Sequence, residues 1–200
     1  MGYNAIASYY DQLVRLVFGN SLSKAQTYFF DKISHTSVVL VVGGGTGWWL
    51  KEFLQSNPRC RICYVEQSEE MLKLAKKAAG GDCRISFRMG NEDSITERSE
   101  YDAIILFCFL DIFSEPDLRM VVEKIKASAK PNARWLITDF VESEKWHSIL
   151  LFIMYRFFKL ATGLKNQNLP DWNGVLLQTG LVQLDYKLFF RGLIKSALYK

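Results

Sequence analysis

The chain has few of the residues that build metal centres and disulfide frameworks. Its 200 residues include only four cysteines and two histidines. Cys60 and Cys63 have the spacing of a metal-binding pair, but there is no second pair, and residues i and i+3 of a strand point to opposite faces. We therefore expect no metal site. Cysteines without a pairing pattern are typical of a reducing compartment. Residues 1–8 lack the basic start and apolar stretch of a signal peptide, so we expect a cytoplasmic protein.

Two further absences exclude other classes of function. Lysine and arginine total 25 against 21 acidic residues, a formal charge of +4. They are scattered rather than gathered in a stripe, so we expect no nucleic-acid partner. The most apolar segment, Ser148 to Tyr155, is shorter than the roughly 20 apolar residues of a membrane-spanning helix. The remaining balance, 49% hydrophobic and 23% charged residues, is that of a globular protein. The length predicts one domain over residues 1–200.

Strand-like segments alternate with helical segments along most of the chain. This order predicts βαβ crossovers and a parallel sheet with helices on both faces. A helical stretch from Asn4 to Ile33, with a break near Gly19-Asn20-Ser21, comes first, within an N-terminal helical cap at residues 1–34. Strands are predicted at Ser37–Val42, Arg61–Glu66, Arg84–Met89, Tyr101–Leu110 and Ala133–Phe140, with helices at Trp48–Ser56, Glu69–Gly80 and Glu115–Lys130. Two further strands, Leu181–Phe190 and Leu193–Tyr199, flank a tight turn and predict a terminal antiparallel hairpin.

The first strand runs into a glycine-rich turn that predicts a cofactor site. Gly43, Gly45 and Gly47 alternate with other residues, and a helix follows. Glycine permits positive φ and a close approach of a ligand to the backbone, and the free N–H groups at a helix start attract anions. The dinucleotide-binding fingerprint has its third glycine one residue later, where this chain has Trp48. A nicotinamide-dependent oxidoreductase is therefore disfavoured.

The spacing of these glycines resembles motif I of the class I S-adenosylmethionine-dependent methyltransferases. That family has a Rossmann-like, seven-stranded, mostly parallel sheet that ends in an antiparallel hairpin, so the resemblance covers nearly the whole chain. It implies that S-adenosylmethionine is the cofactor and that the glycine loop holds its methionine end. The loop residues to which it assigns this contact are Gly43, Gly44, Gly45, Thr46 and Gly47.

Other segments resemble the motifs of that family in the same order. Glu66, at the end of the second strand, matches the acid that accepts hydrogen bonds from both ribose hydroxyls, and Gln67 follows it. Asn91 and Glu92 lie in the loop that holds the adenine amino group. Phe107, at the end of the fourth strand, is a further implied cofactor contact.

The N-terminal segment and one position of the first strand modify this picture. Ile6 to Asp11 resembles the Ala-x-x-Tyr-Asp entry of the ubiquinone and menaquinone biosynthesis methyltransferases. The resemblance implies that Tyr10 approaches the methionine moiety, and core packing is the alternative. The family usually has an acid two residues before the first glycine, where this chain has Val41. Either cofactor binding is weakened, or another group takes over that role.

The segment 141–175 is predicted to be a lid over the methyl acceptor. In the family, insertions here cover the acceptor, and the Phe, Met and Leu side chains of Trp146–Leu164 favour a small, apolar or aromatic one. Arg156 and Lys159 could bind a carboxylate or an anionic lipid head. Peripheral membrane contact through residues 146–164, a core helix and a dimer contact are therefore alternatives to a lid.

Two side chains are candidate general bases. Asp111 lies just beyond the fourth strand, and His147 heads the lid helix. Methyl transfer can also succeed by alignment and desolvation alone. The sequence thus predicts an S-adenosylmethionine-dependent methyltransferase acting on a small acceptor. A non-catalytic S-adenosylmethionine-binding regulatory or partner protein is the alternative, because Val41 replaces the usual acid and no clear catalytic dyad is present.

Overall fold

A computed structural model describes residue 4, residues 6–163, residue 166 and residues 168–200. Leu164, the predicted end of the lid helix, lies outside the described residues. The helices are α1 (Ala7–Phe18), α2 (Ser21–Thr27), α3 (Leu50–Ser56), α4 (Glu69–Ala79), α5 (Glu115–Ser128), α6 (Lys145–Thr162) and α7 (Trp172–Gln178). The strands are β1 (Val38–Val42), β2 (Arg61–Glu66), β3 (Ile85–Met89), β4 (Tyr101–Phe107), β5 (Ala129–Phe140), β6 (Gln183–Phe189) and β7 (Ile194–Tyr199). None of the helices within these ranges combines the length and the apolar character needed to cross a bilayer.

The strands form one sheet in the order β3-β2-β1-β4-β5-β7-β6. The five strands from β3 to β5 in this order are parallel, and β7 is antiparallel to both β5 and β6. In β1, Val41 pairs with Tyr64 of β2 and with Ile105 of β4. The predicted fold class, a Rossmann-like mostly parallel sheet that ends in an antiparallel hairpin, is confirmed.

The apolar run of β1 is buried on both faces of the sheet, as in other parallel sheets. Leu40 packs with side chains of α5 and α7 on one face, and Val39 packs with side chains of α3 and α4 on the other. A third cluster joins α1 and α2 to α6 through Phe18, Leu22 and Leu151. It lies beyond the carboxyl end of β5, so α1 and α6 adjoin the edge of the sheet where ligands bind in such folds.

The predicted fourth strand is three residues too long. β4 ends at Phe107 rather than Leu110, because Cys108 has a φ of +49° and turns the chain out of the sheet. The backbone N–H groups of Phe109 and Leu110 then donate to the Asp139 carboxylate at 3.1 and 2.8 Å. The apolar character of this segment continues past the strand, which explains the error.

The predicted boundary between α5 and β5 is also wrong. α5 ends at Ser128, and β5 begins at Ala129 instead of four residues later. Tyr101 pairs with Ala129 but Ala103 pairs with Arg134, so the predicted turn at 130–132 is an irregularity within the strand. The predicted break in the N-terminal stretch is confirmed, because α1 ends at Phe18 and α2 begins at Ser21; a short 3-10 turn follows at Phe30–Lys32. The other boundaries lie within two residues of those predicted.

Candidate functional site

A cleft opens at the carboxyl ends of β1, β2 and β4. It encloses about 1080 Å³ of space, partly open to solvent, above the glycine loop. β1 and β4 are neighbours although β2 and β3 come between them in the chain, so the cleft lies at the switch point where open α/β sheets bind ligands. The predicted cofactor residues that line it are Tyr10, Gly43, Gly44, Gly45, Thr46, Glu66, Gln67, Asn91, Glu92 and Phe107.

Two glycines of the loop are required for different reasons. A Cβ on Gly44 would lie 2.1 Å from Cζ of Tyr64, and the Tyr64 hydroxyl donates a hydrogen bond of 3.0 Å to the Gly45 carbonyl. Gly47 has a φ of +65°, and its Cβ would lie 2.9 Å from Cβ of Ala75 in α4. Gly47 is the one predicted cofactor residue that does not line the cleft. Its position lets the loop pack against α4.

Glu66 lies at the end of β2, with its side chain buried against the glycine loop. Its Oε2 accepts a hydrogen bond from the Gly45 N–H at 2.9 Å, and its Oε1 accepts one from the Ser68 N–H at 2.7 Å. Burial raises the pKa of the Glu66 carboxyl, while these N–H groups act in the opposite direction. A carboxylate has about four lone-pair sites, so Glu66 can fix the loop and still accept hydrogen bonds from a ligand.

A second carboxylate reaches the glycine loop from α1. Asp11 lines the cleft, and its Oδ1 accepts a hydrogen bond of 2.8 Å from the Thr46 hydroxyl. Burial raises the pKa of Asp11, and the hydrogen bond from Thr46 partly offsets this rise. Val41, by contrast, is buried in the core with α3. Asp11 was not among the predicted site residues, although it follows Tyr10 in the segment that suggested a contact with the cofactor.

The far end of the cleft combines an ordered polar loop with aromatic rings. Asn91 Oδ1 accepts a hydrogen bond from the Asp93 N–H at 3.2 Å, and Asp93 forms an ion pair of 2.5 Å with Lys124 of α5. Phe109 and Phe113 also line the cleft, in an edge-to-face pair with ring centroids 5.1 Å apart. Sequence reasoning missed both rings, because Phe109 lies in the segment taken as strand and Phe113 lies in the connection that follows it.

An inner cavity adjoins the cleft beneath α1 and α6. The two share lining residues, namely Tyr10, Val14, Leu22, Cys108 and Ile112. The remaining lining of the inner cavity is apolar or aromatic apart from one carboxyl group, with Phe18, Asp111, Phe140, Leu151, Met154, Tyr155 and Phe158 as its members.

Asp111 carries that carboxyl group. Its side chain is 8% exposed, and Oδ1 has no hydrogen-bond partner among the described residues. Burial raises the pKa of Asp111 well above its usual range, and the charge of nearby Asp139 adds to the rise. Burial also raises the pKa of Asp139 to about 6, although that carboxylate accepts four backbone hydrogen bonds. The structure thus brings Asp111 to the inner cavity as a buried acid rather than an exposed base.

His147 is not brought to either cavity within the described residues. Its Nδ1 accepts hydrogen bonds from the N–H groups of Ser143 and Glu144, at 3.1 and 3.3 Å. Its Nε2 lies 3.2 Å from the Arg191 carbonyl, to which it donates. Both ring nitrogens therefore tie the start of α6 to the turn of the hairpin. This placement argues against the predicted base role and assigns His147 to the structure of the helix end.

The faces of α6 differ from the expectation for a lid. Leu151 and Met154 line the inner cavity, whereas Phe152 and Phe157, which the lid hypothesis would place against the acceptor, are 60% and 42% exposed. Arg156 lies on the exposed face with its guanidinium 5.2 Å from the centre of the Phe152 ring. Lys159 is also exposed. Neither cation lines the described walls of either cavity, and membrane contact through this face stays a prediction.

The comparisons with known proteins agree with this geometry. Residues 39–132 match a family described as a methyltransferase domain. A malonyl-[acyl-carrier protein] O-methyltransferase from Halalkalibacterium halodurans is 31% identical over 109 residues, which cover 51% of this chain and 38% of the relative. The chain spans about two fifths of the length of the curated relatives it matches.

Solved structures resemble the chain over nearly its full length. One belongs to a complex between the Trm112 methyltransferase activator of Haloferax volcanii and a methyltransferase, with a TM-score of 0.75, 12% identity, and coverage of 98% of this chain and 96% of that one. Another is an S-adenosylmethionine-dependent methyltransferase from Aquifex aeolicus, with a TM-score of 0.68, 17% identity, and coverage of 98% and 97%. At these identities, the similarity to the solved structures shows the fold alone. Together with the glycine loop and the methyltransferase domain matched at residues 39–132, this fold is similar to that of the class I S-adenosylmethionine-dependent methyltransferases.

Proposed function

We propose that the chain transfers a methyl group from S-adenosylmethionine to a small, mainly apolar acceptor. The observation that carries the proposal is the junction of two unlike cavities. The cleft over the glycine loop combines backbone and carboxylate groups with apolar and aromatic side chains, and the inner cavity that adjoins it is apolar or aromatic apart from Asp111. An acceptor in the inner cavity would meet the methionine end of a cofactor in the cleft.

The cleft residues fit this cofactor. Gly45 lines the cleft with a φ of +66°, and a Cβ there would meet nothing within 4 Å, so the loop backbone is open to a ligand at this position. Glu66 is in reach of a ribose above the loop, and the loop at Asn91 and Glu92 lies across the cleft for the adenine. The cofactor, when bound, supplies an electrophilic methyl group on a sulfonium. The protein then has to orient the acceptor and exclude water, which α1 and α6 do from above the inner cavity.

Asp11 supplies the carboxylate that Val41 does not. The family resemblance implies an acid at the position of Val41, where it would order the glycine loop. Asp11 reaches the same loop from α1 through its hydrogen bond with Thr46. Since Asp11 also lines the cleft, its charge is available to the ammonium group of the cofactor. Asp11, which lies 30 positions before Val41 in the chain, thus takes over both roles of the usual acid, namely ordering the loop and presenting a charge to the cofactor.

Calorimetric titration with S-adenosylmethionine, S-adenosylhomocysteine and a nicotinamide dinucleotide tests the first half of the proposal. Heat with the dinucleotide alone would overturn it. The second half is tested by transfer of a labelled methyl group to a panel of neutral phenols and quinols, with Glu66→Ala as the control that should lose transfer. Binding of both adenosyl ligands without turnover on any acceptor would favour the alternative of a regulatory or partner protein.

A further inference from the structure

The carboxyl group of Asp111 is buried in the inner cavity with one oxygen unused. Buried polar atoms nearly always have a hydrogen-bond partner, yet Asp111 Oδ1 has none among the described residues. The backbone of the same residue is fully engaged. Its N–H donates to Asp139 at 3.3 Å, and its carbonyl accepts from the Tyr155 hydroxyl and from Asn166 Nδ2, both at 3.1 Å. The backbone of Asp111 is therefore fixed at the cavity wall, and Oδ1 remains available to a ligand.

The charges around the two cavities have one sign. The described walls carry the carboxyl groups of Asp11, Glu66, Glu92 and Asp111, and they include no lysine, arginine or histidine. An anionic acceptor would thus be desolvated next to acids with no cationic side chain in the described walls to compensate it, which is unfavourable. A carboxylate such as that of a malonyl group, which the names of the curated relatives contain, does not suit these walls.

The raised pKa of Asp111 agrees with a site that disfavours anionic acceptors. Burial first, and the Asp139 charge second, raise the pKa of Asp111 well above its usual range. A protonated carboxyl group has one O–H donor and still has acceptor capacity. Such a group can hydrogen-bond to a neutral hydroxyl without any ion being transferred into the cavity.

We propose that Asp111 hydrogen-bonds the polar group of a neutral, hydroxyl-bearing apolar acceptor that occupies the inner cavity and the adjoining part of the cleft, and that the site rejects carboxylates with the same apolar body. The proposal rests on the proposed function and names the acceptor class for that site. In this role Asp111 binds the acceptor, and aromatic walls such as Phe140 and Phe158 supply contact to its apolar body.

The test uses three probes with the same propylphenyl body on protein saturated with S-adenosylhomocysteine, namely p-propylphenol, propylbenzene and p-propylbenzoate. Binding is measured by calorimetry or ligand-observed NMR. The wild-type protein should bind the phenol about tenfold more tightly than propylbenzene, and the benzoate more weakly than either. Equal binding of phenol and benzoate, or no binding of the phenol, would overturn the proposal, and neither measurement requires a variant.

Two substitutions then assign the preference to one side chain. Asp111→Leu should abolish the preference for the phenol and leave propylbenzene affinity within about twofold. Asp111→Asn, which keeps donor and acceptor, should retain most of the preference. Phe152→Ala, on the exposed face of α6, is the control that should leave all three affinities unchanged. A preference that survives in Asp111→Leu would refute the assignment. Because S-adenosylhomocysteine binding is measured first, failure of the proposed function is detected separately.

Discussion

The Asp11 carboxylate of α1 accepts a hydrogen bond of 2.8 Å from the hydroxyl of Thr46 in the glycine loop. This bond joins residues 35 positions apart and connects the N-terminal helix to the floor of the cleft. It accounts for how a chain with Val41 in its first strand can still present a carboxylate near the loop. Asp11 therefore has two separable roles, one in ordering the loop and one as a charge in the cleft.

The charge of Asp11 is tested by Asp11→Asn. The amide keeps an acceptor for Thr46 but removes the negative charge, so we expect affinity for S-adenosylmethionine to fall about tenfold, the loss typical of a charge-assisted hydrogen bond. Affinity for methylthioadenosine, which lacks the amino acid end, should be nearly unchanged. Thr46→Val is the matched control that loses the hydrogen bond but keeps the charge. Equal losses for both ligands would mean that Asp11 only orders the loop.

Glu66 is tested with a pair of nucleosides, because its removal also frees the N–H groups of Gly45 and Ser68. Glu66→Ala should lower affinity for S-adenosylhomocysteine at least about tenfold, since each charge-assisted hydrogen bond contributes roughly 1.5–3 kcal/mol. Glu66→Gln should lose less. If Glu66 binds the ribose directly, the wild-type protein prefers adenosine to 2′-deoxyadenosine and the alanine variant does not. A preference that persists in Glu66→Ala would place the ribose elsewhere.

The parallel sheet and the loop were predictable because their signals are local. The apolar run before Gly43 and the alternation of strands and helices depend on neighbouring residues, and they fix the fold class. The environment of Asp139 has no such signal. Its carboxylate accepts from Phe109, Leu110 and Asp111, 28 to 30 residues away, so the end of β4 depends on a contact that no local pattern encodes.

The errors in the site have a similar origin. α6 is apolar around much of its circumference, so periodicity could not distinguish its cavity face, with Met154, from its exposed face, with Phe152. His147 was taken as a candidate base because a histidine near a predicted acceptor site is chemically attractive. Its structural role depends on the Arg191 carbonyl, 44 residues later. Asp11 lies in the segment Ile6 to Asp11 that suggested a cofactor contact, but its hydrogen bond with Thr46 forms only in the packed tertiary structure.

Gly47 and Gly81 form a matched pair for measuring how closely the loop approaches α4. Both have positive φ, at +65° and +80°, but a Cβ on Gly81 meets nothing within 4 Å. Gly81→Ala should cost about 1–2 kcal/mol of unfolding free energy from backbone strain alone. Gly47→Ala should cost about 1–3 kcal/mol more, because its Cβ collides with Ala75. Urea denaturation measures both values. Equal losses would show that the loop and α4 do not approach each other as closely as described.

Asp139 predicts a pH dependence of stability. Its pKa is raised from 3.8 to about 6 by burial, so the folded state binds a proton that the unfolded state has released between these values. Stability should therefore fall as pH rises from about 4 to 6 and level off above, by an amount on the order of 3 kcal/mol. Asp111, Glu66 and Asp11 have pKa shifts in the same direction, so the informative quantity is a difference. Asp139→Asn should be less stable overall, having lost an acceptor oxygen, but should show a smaller decline with pH. The same decline in both proteins would contradict the assignment.

The two faces of α6 should separate acceptor binding from surface properties. Met154 lines the inner cavity, whereas Phe152 is exposed. Once a phenol that accepts the methyl group is identified, the two faces can be compared by kinetics. Met154→Ala should raise the Michaelis constant of the acceptor about three- to tenfold, because a shortened side chain loses apolar contact on one side of the acceptor. The affinity for S-adenosylmethionine should be unchanged. Phe152→Ala should leave both constants unchanged.

α6 carries Lys145, Arg156 and Lys159 but no acidic residue, so the same Phe152→Ala variant should reduce sedimentation with anionic vesicles if the outer face lies on a membrane. An effect of Phe152→Ala on the acceptor constant, with none from Met154→Ala, would reverse the assignment of the two faces.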